Sequence, residues 1–342
     1  MDKPVLSLQW HITSRCDQRC QHCYIFNTPN AKEIVEEGRM TLPVLKTVVQ
    51  DYVRTCKRLE AKPRISLTGG NPLMRRDLWD FLAHLQALGI PVAMMGNARG
   101  LTDKVAMKLK GLGVDRFQLS LDGIEQTHDS LRSPGSFDAT GHAIDILRRN
   151  DIRVSVMSTV SKINAKDIPA LIEYVVRMKV NVYAFARYCP THADLDNSFS
   201  PEEYRGFLSL VWDVFAKHAS SGTEFILKDH LWSLFLMEMG LFAPEQTDDV
   251  VVAGCGLGIS HMTILSDGTV YACRRFTSPL GRVPEDSLYD IFTGAKLDEY
   301  RDFSRLEKCS NCELLYHCRG CMAVTYGTTG TWTAADPQCW KK

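Results

Sequence analysis

Along the first 190 residues, apolar positions alternate between two rhythms. β-rich apolar runs fall at residues 5–12, 64–67, 91–95, 116–121, 152–160 and 181–186. Between them, stretches at 41–59, 77–88, 102–112, 137–149 and 166–178 repeat their apolar positions with the period of a helix that buries one face. In the first of these, Leu45, Val49, Tyr52 and Cys56 share a face and Thr41 stands at the cap position. Strands alternating with helices through short links imply parallel strands joined by right-handed crossovers. Six such units are fewer than the eight of a closed barrel, so the pattern predicts α/β architecture, a partial (β/α)6 TIM-like barrel. Chemistry is then expected at the C-terminal ends of its strands.

The rhythm changes after residue 190. Residues 191–200 are polar, 201–219 and 228–239 read as helices with wide apolar faces, and 245–249 form an acidic link. From residue 250 the chain is short-stranded and rich in cysteine. These shifts predict a barrel over 1–190, a helical bridge over 191–245 and a small cysteine-rich domain over 246–342, without internal repeats.

Composition narrows the class. Of 342 residues 45% are hydrophobic, and Lys plus Arg balance Asp plus Glu at 40 each. No net field draws the chain to nucleic acid or an anionic membrane. The start lacks a signal peptide's pattern, and no run approaches the roughly 20 apolar residues of a span, so a soluble, cytoplasmic protein is expected. Twelve cysteines in such a chain read as metal ligands or reactive thiols rather than disulfides. Three lie between Cys16 and Cys23, seven between Cys255 and Cys339, with Cys56 and Cys189 apart.

Cys16-x3-Cys20-x2-Cys23 follows the first predicted strand. Three thiolates on one loop can hold three irons of a cubane and leave the fourth open. Zinc with His11 or His22 as fourth ligand fits the spacing equally. Further along stand Thr68, Gly69, Gly70, Asn71 and Pro72; then Gly96 and Asn97; then Ser120, Asp122 and Gly123, followed by His128, Asp129 and Arg132. In this order, at successive strand ends, these segments resemble the radical S-adenosylmethionine superfamily, including the aromatic Tyr24 after the third cysteine. The resemblance implies a 4Fe-4S cluster on the loop. It also implies S-adenosyl-L-methionine held by the backbone of Gly69 and Gly70, by Asn71, Pro72 and Asn97, and by Ser120 and Arg132, which take its carboxylate. Asn71 departs from the usual Glu. The implied chemistry is reductive cleavage of S-adenosylmethionine to a 5′-deoxyadenosyl radical that abstracts a substrate hydrogen.

The late cysteines run Cys255, Cys273, then Cys309-x2-Cys312-x5-Cys318-x2-Cys321, then Cys339, with an Asp267-Gly268 turn in a predicted hairpin. The pattern is similar to the SPASM extension, which implies two auxiliary clusters and so three 4Fe-4S clusters in all. By that resemblance Cys309, Cys312, Cys318 and Cys339 hold the second, and Cys255, Cys273 and Cys321 the first. Cys318 and Cys321 are separated by two residues, where many relatives have three. No cysteine falls in residues 245–254, so the first auxiliary cluster is expected to keep an open iron, unless Cys189 or a non-cysteine side chain fills it. Zinc ribbons remain the rival for the Cys-x2-Cys pairs.

The resemblance extends to maturases of ribosomally made peptides and to anaerobic sulfatase-maturating enzymes. Arg274, followed by Arg275, stands where the latter carry a catalytic Asp, which argues against sulfatase maturation. The expected reaction is thioether formation on a peptide whose Cys binds the open cluster. An epimerase with Cys189 as hydrogen donor, a small-molecule radical oxidoreductase and a zinc-binding adaptor are the alternatives. Expected partners are a ribosomally synthesised precursor peptide, an electron donor such as a flavodoxin or ferredoxin, and a separate leader-binding protein. Cys56, on a helix stripe, is read as a small buried hydrophobe.

Overall fold

The computed structural model describes residues 3–26, 37–190, 194–245 and 250–342. The strands are β1 (Val5–Thr13), β2 (Lys62–Gly69), β3 (Val92–Met95), β4 (Val114–Ser120), β5 (Arg153–Val160), β6 (Val182–Arg187), β7 (Glu224–Ile226), β8 (His261–Ile264), β9 (Thr269–Tyr271) and β10 (Pro279–Arg282). The helices are α1 (Leu42–Arg58), α2 (Leu78–Ala87), α3 (Asp103–Gly111), α4 (Glu125–Leu131), α5 (Ser136–Arg149), α6 (Ile168–Arg177), α7 (Pro201–Lys217), α8 (Trp232–Glu238), α9 (Leu288–Phe292), α10 (Ala295–Arg301) and α11 (Met322–Thr329). Six of the ten strands among the described residues are those the apolar runs predict. β7 and β10 are too short and too polar to show a period, and α4 lies in a stretch read only as motif.

Two compact units divide the chain. The first comprises Met1–Ser120, Arg132–Val154 and Leu257–Arg301. The second comprises Leu121–Leu131, Ser155–Gly256 and Asp302–Lys342. These units do not follow the three consecutive segments expected from the sequence, because β8 pairs in parallel with β1 and so joins the first unit.

In the first unit the strand order is β10-β9-β8-β1-β2-β3-β4. The pairs from β8 through β4 are parallel, while β8, β9 and β10 form antiparallel neighbours. Trp10 on β1 is fully buried and packs edge-on against Phe81 of α2 at 5.5 Å. On α1 the predicted stripe of Leu45, Val49, Tyr52 and Cys56 is buried. The Tyr52 hydroxyl accepts from the Arg64 amide at 3.0 Å, fixing α1 to β2. Burial of these apolar faces, at about 25 cal/mol per Å², fixes the register that aligns the strand ends.

In the second unit β5, β6 and β7 lie side by side in parallel. α7 begins in a reciprocal capping box between Ser200 and Glu203. An aromatic cluster of Phe185, Phe207, Phe215 and Trp232 packs α7 and α8 onto β6.

Candidate active site

The three-cysteine loop leaves the C-terminal end of β1 in the first unit. Its base is braced by the Gly69-Gly70 turn that ends β2. The amide of Gly70 donates to Thr13 O at 2.8 Å and that of Asn71 to Arg15 O at 2.7 Å. A Cβ on Gly69 would lie 2.1 Å from Thr13 O, and one on Gly70 2.1 Å from Arg15 O. Glycine is therefore required here by the backbone of the cysteine loop itself, in addition to any ligand.

Polar side chains then fasten the loop. Asn71 is buried and donates from Nδ2 to Asn97 Oδ1 at 2.8 Å and Asp17 Oδ1 at 3.3 Å. Its Oδ1 accepts from the Leu73 amide at 3.3 Å. A Glu at this position would set a carboxylate against Asp17, which explains why the chain carries an amide. Asn97 donates to Asp17 Oδ1 at 3.0 Å and approaches Cys16 Sγ at 3.8 Å. Pro72 opens the short turn that follows and is buried. Arg132 reaches the loop as well, with Nη1 3.7 Å from Cys20 Sγ and Nη2 3.4 Å from His22 Nε2. Ser120 ends β4 and is half-buried.

Tyr24 lies 3.4 Å from His11 Nε2 through its hydroxyl. The Arg274 guanidinium stands 5.4 Å over the Tyr24 ring and 3.9 Å from Met95 Sδ. A half-buried cation is thus held against the residue that follows Cys23. Cys16, Cys20 and Cys23 are all half-buried. Burial raises the Cys16 thiol above its usual range, against the lowering effect of the Gln18 amide. Cys273, also in the first unit, follows β9, where the Ser278 hydroxyl accepts from its amide at 3.1 Å.

Asp122 and His128 form a latch within the second unit. The Asp122 amide donates to His128 Nδ1 at 3.1 Å, and Asp122 Oδ1 accepts from the Thr159 amide at 2.8 Å. Both side chains are fully buried, so this pair shapes the strand end.

Four cysteines of the second unit, Cys309, Cys312, Cys318 and Cys339, line one cavity together with Leu231, Arg319 and Asp336. Burial pushes the Cys309 thiol up to about 12, assisted by neighbouring thiols. Cys318 and Cys339 are raised for the same first reason. Between Cys318 and Cys321, Arg319 and Gly320 both adopt left-handed backbone, with φ of 63° and 61°. That pair of turns lets two residues complete the connection. The buried Arg319 donates to Ala253 O at 3.0 Å and Cys255 O at 2.8 Å.

Sequence reading missed the groups that hold this region. Arg187, at the end of β6, is 1% exposed. It forms a paired contact with Asp336 at 2.8 Å and donates to Asp229 and Gln338, each at 2.8 Å. Asp336 also accepts from the Cys321 amide at 2.8 Å. His230 follows Asp229 and lies beside Cys255 and Cys321. Burial opposes its charge, but the two cysteines outweigh that and lift its pKa to about 10. Cys189 follows β6 and is half-buried. A Cβ on Gly327 would come within 2.1 Å of Pro190 O, so α11 packs tightly on the Cys189-Pro190 segment. Cys56 is buried, and burial raises its thiol to about 11.

Among the described residues no three His, Cys, Asp or Glu side chains gather as ligands of a single metal ion would. A cubane asks for a different arrangement, with each thiolate on its own iron. Four cysteines around one cavity, and three on a loop fastened by amides and a guanidinium, suit that demand.

Comparison with known proteins agrees. Residues 10–175 match the Radical SAM superfamily, and residues 255–313 match SPASM, an iron-sulfur cluster-binding domain. The "AdoMet-dependent heme synthase" of Methanosarcina barkeri is 27% identical over 97% of this chain and 95% of its own length. The "Cysteine-type anaerobic sulfatase-maturating enzyme" of Clostridium novyi is 24% identical over 90% of this chain and 85% of its own. The solved structure "Native anSMEcpe with bound AdoMet" superposes with a TM-score of 0.75 at 19% identity, covering 98% of this chain and 94% of that one. The chain belongs to the radical SAM superfamily and is an enzyme of that family. Within it, this is a SPASM-bearing member with the superfamily's partial α/β barrel, and its two domains imply 4Fe-4S clusters and S-adenosylmethionine. No helix among the described residues is long and apolar enough to cross a membrane.

Proposed function

We propose that this enzyme holds three 4Fe-4S clusters and modifies a ribosomally made peptide, joining a Cys sulfur to a nearby carbon as a thioether. When bound, the loop cluster and S-adenosylmethionine supply a one-electron cleavage whose 5′-deoxyadenosyl radical takes hydrogen from a substrate carbon. Cys16, Cys20 and Cys23 would hold that cluster and leave one iron for the cosubstrate. Arg132, already at Cys20, would take the carboxylate of S-adenosylmethionine through its planar fork. Ser120, Asn97 and the backbone of Gly69 and Gly70 would orient the remainder. Cys309, Cys312, Cys318 and Cys339 would hold the second auxiliary cluster. The first falls to Cys255 and Cys321, with Cys273 as the ligand that the family resemblance adds.

The observation that carries the substrate class is Arg274, a half-buried guanidinium fixed over Tyr24 beside the cysteine loop. It offers a carboxylate of the substrate a bidentate partner near the reacting centre, which suits an acidic residue close to the modified one. The relative named for sulfatase maturation, whose target is a protein, favours a polypeptide. A second reading, chemistry on an iron porphyrin, is favoured by the relative named as a heme synthase.

Anaerobic incubation with a candidate acidic, Cys-containing peptide, and separately with an iron porphyrin, tests both. Peptide that loses two hydrogens and one alkylatable Cys supports the thioether reading. Unchanged peptide alongside altered porphyrin mass replaces it with the second.

A further inference from the structure

We propose that Arg319 and Asp336, two buried charges on the four-cysteine cavity, tune the reduction potential of the cluster held there, Arg319 raising it and Asp336 lowering it. The inference rests on the reading above that Cys309, Cys312, Cys318 and Cys339 hold the second auxiliary cluster. Among the described residues, the charged side chains lining this cavity are Arg319, Asp336 and Lys341. Lys341 is half-buried and ion-paired with Glu313, whereas Arg319 and Asp336 are buried. Charges removed from water act strongly on a neighbouring charge, and the net charge around an iron–sulfur cluster is one of the terms that set its potential.

Both side chains are fixed in place by the cysteine segments themselves. The Arg319 guanidinium donates to Leu315 O at 3.1 Å, Ala253 O at 3.0 Å and Cys255 O at 2.8 Å. A Cβ on Gly254 would lie 3.2 Å from Arg319 Nη2 and 2.7 Å from Cys318 O, so the chain beside Cys255 closes directly on this cation. Arg319 also holds a left-handed backbone, φ 63°, which is uncommon for a residue with a side chain. Asp336 Oδ2 accepts from the Cys321 amide at 2.8 Å, and Asp336 O from the Cys339 amide at 3.0 Å. A Cβ on Gly320 would lie 3.0 Å from Asp336 Oδ2, so the carboxylate packs against the Cys318–Cys321 turn. Arg187 grips both carboxylate oxygens at 2.8 Å and thereby positions Asp336. Outer groups fixed in this way orient a metal's ligands and adjust its electronics. Reduction adds an electron to the cluster, so a nearby cation favours the reduced form and a nearby anion opposes it.

The test uses full-length protein with Cys16, Cys20 and Cys23 changed to Ala, reconstituted anaerobically and titrated with reductant under electron paramagnetic resonance. The cavity's reduction step is the one that Cys309→Ala with Cys312→Ala removes together with its iron. Arg319→Gln should lower that potential, and Arg319→Lys, which keeps the charge, should restore most of it. Asp336→Asn should raise it. Each neutralisation should change the ratio of reduced to oxidised cluster at a fixed potential by about tenfold, about 59 mV for one electron. A merely structural role would lower iron occupancy or shift both variants the same way. Absent or same-direction shifts, with cavity iron retained, would overturn the proposal and leave the cluster standing. Loss of cavity iron in one variant would overturn tuning by that residue, and the other arm then decides alone. Zinc in the cavity, or iron unchanged by the double cysteine variant, would remove the cluster and both readings with it.

Discussion

The Cys16–Cys23 loop and the four-cysteine cavity offer the same kind of ligand, similarly half-buried except for Cys318, with different side chains around it. The loop is assembled from half-buried thiols fastened by Asn71, Asn97 and Arg132, side chains that can also meet an incoming cosubstrate. The cavity around Cys309, Cys312, Cys318 and Cys339 is lined by Leu231, Leu234, Leu314 and Leu315 together with Arg319 and Asp336, and of its four thiols Cys318 is buried while the others are half-buried. Under the proposed function, the loop would serve turnover at an open iron and the cavity would hold an auxiliary cluster. Cysteine spacing marks a metal site, while the groups around it set what a bound cluster could be used for.

The largest expected effect comes from removing the loop. Changing Cys16, Cys20 and Cys23 to Ala should lower S-adenosylmethionine cleavage by more than about 10³-fold, with loss of about four irons and retention of the rest. Product quantitation beside iron analysis reads both. If cleavage persists, the two sites do not divide their tasks as described.

Next in size is Arg187→Met. Stripping one partner from a buried ion pair costs about 3–5 kcal/mol, here leaving Asp229 and Asp336 uncompensated near Cys321. Thermal unfolding should shift downward and cavity iron should fall, while the loop cluster still loads. Unchanged iron in the cavity would break the link between the ion pair and the cluster site.

Arg132→Lys keeps the charge but loses the fork. The apparent Kd for S-adenosylmethionine should rise roughly tenfold, about 1.4 kcal/mol, with the visible cluster spectrum unchanged. Full affinity in the variant would reassign Arg132 to loop packing.

The smallest effect concerns pH. Loading a cluster requires thiolates, so metal binding releases protons. Burial raises Cys309 to about 12 and places Cys318 and Cys339 above the usual thiol range. Cavity loading should therefore strengthen as pH rises from 7 toward 9, with iron uptake followed in a loop-deleted chain. In the apoprotein the sign is opposite. A thiol whose folded pKa is raised stabilises the fold below the unfolded value and loses that contribution as pH climbs through the folded one. The empty cavity should thus weaken the fold above about pH 9, as chemical unfolding of apoprotein would show.

Much of this was legible in the sequence, and the reasons are specific. The six barrel strands announce themselves because each is an apolar run beside a helix-period stretch, and Leu45, Val49, Tyr52 and Cys56 read as one face. The cysteines read as metal ligands from spacing, and as cluster ligands through the family resemblance. What stayed hidden depends on distance along the chain. Arg187 and Asp336 are separated by 149 positions, and each looks like an ordinary surface charge until folding buries it. His230 belongs to no spaced motif and stands two residues before α8, so nothing local marks it. The brace between Gly70 and Arg15 was concealed differently. The glycines were legible, but their nearest constraint is the cysteine loop's own backbone.

The most direct measurement is the iron, acid-labile sulfide and zinc content of anaerobically reconstituted chain, taken beside the loop-deleted variant. The account predicts about twelve irons with matching sulfide in the intact chain and about eight in the variant. Zinc in the cavity, or iron that disappears entirely when the loop is removed, would contradict it.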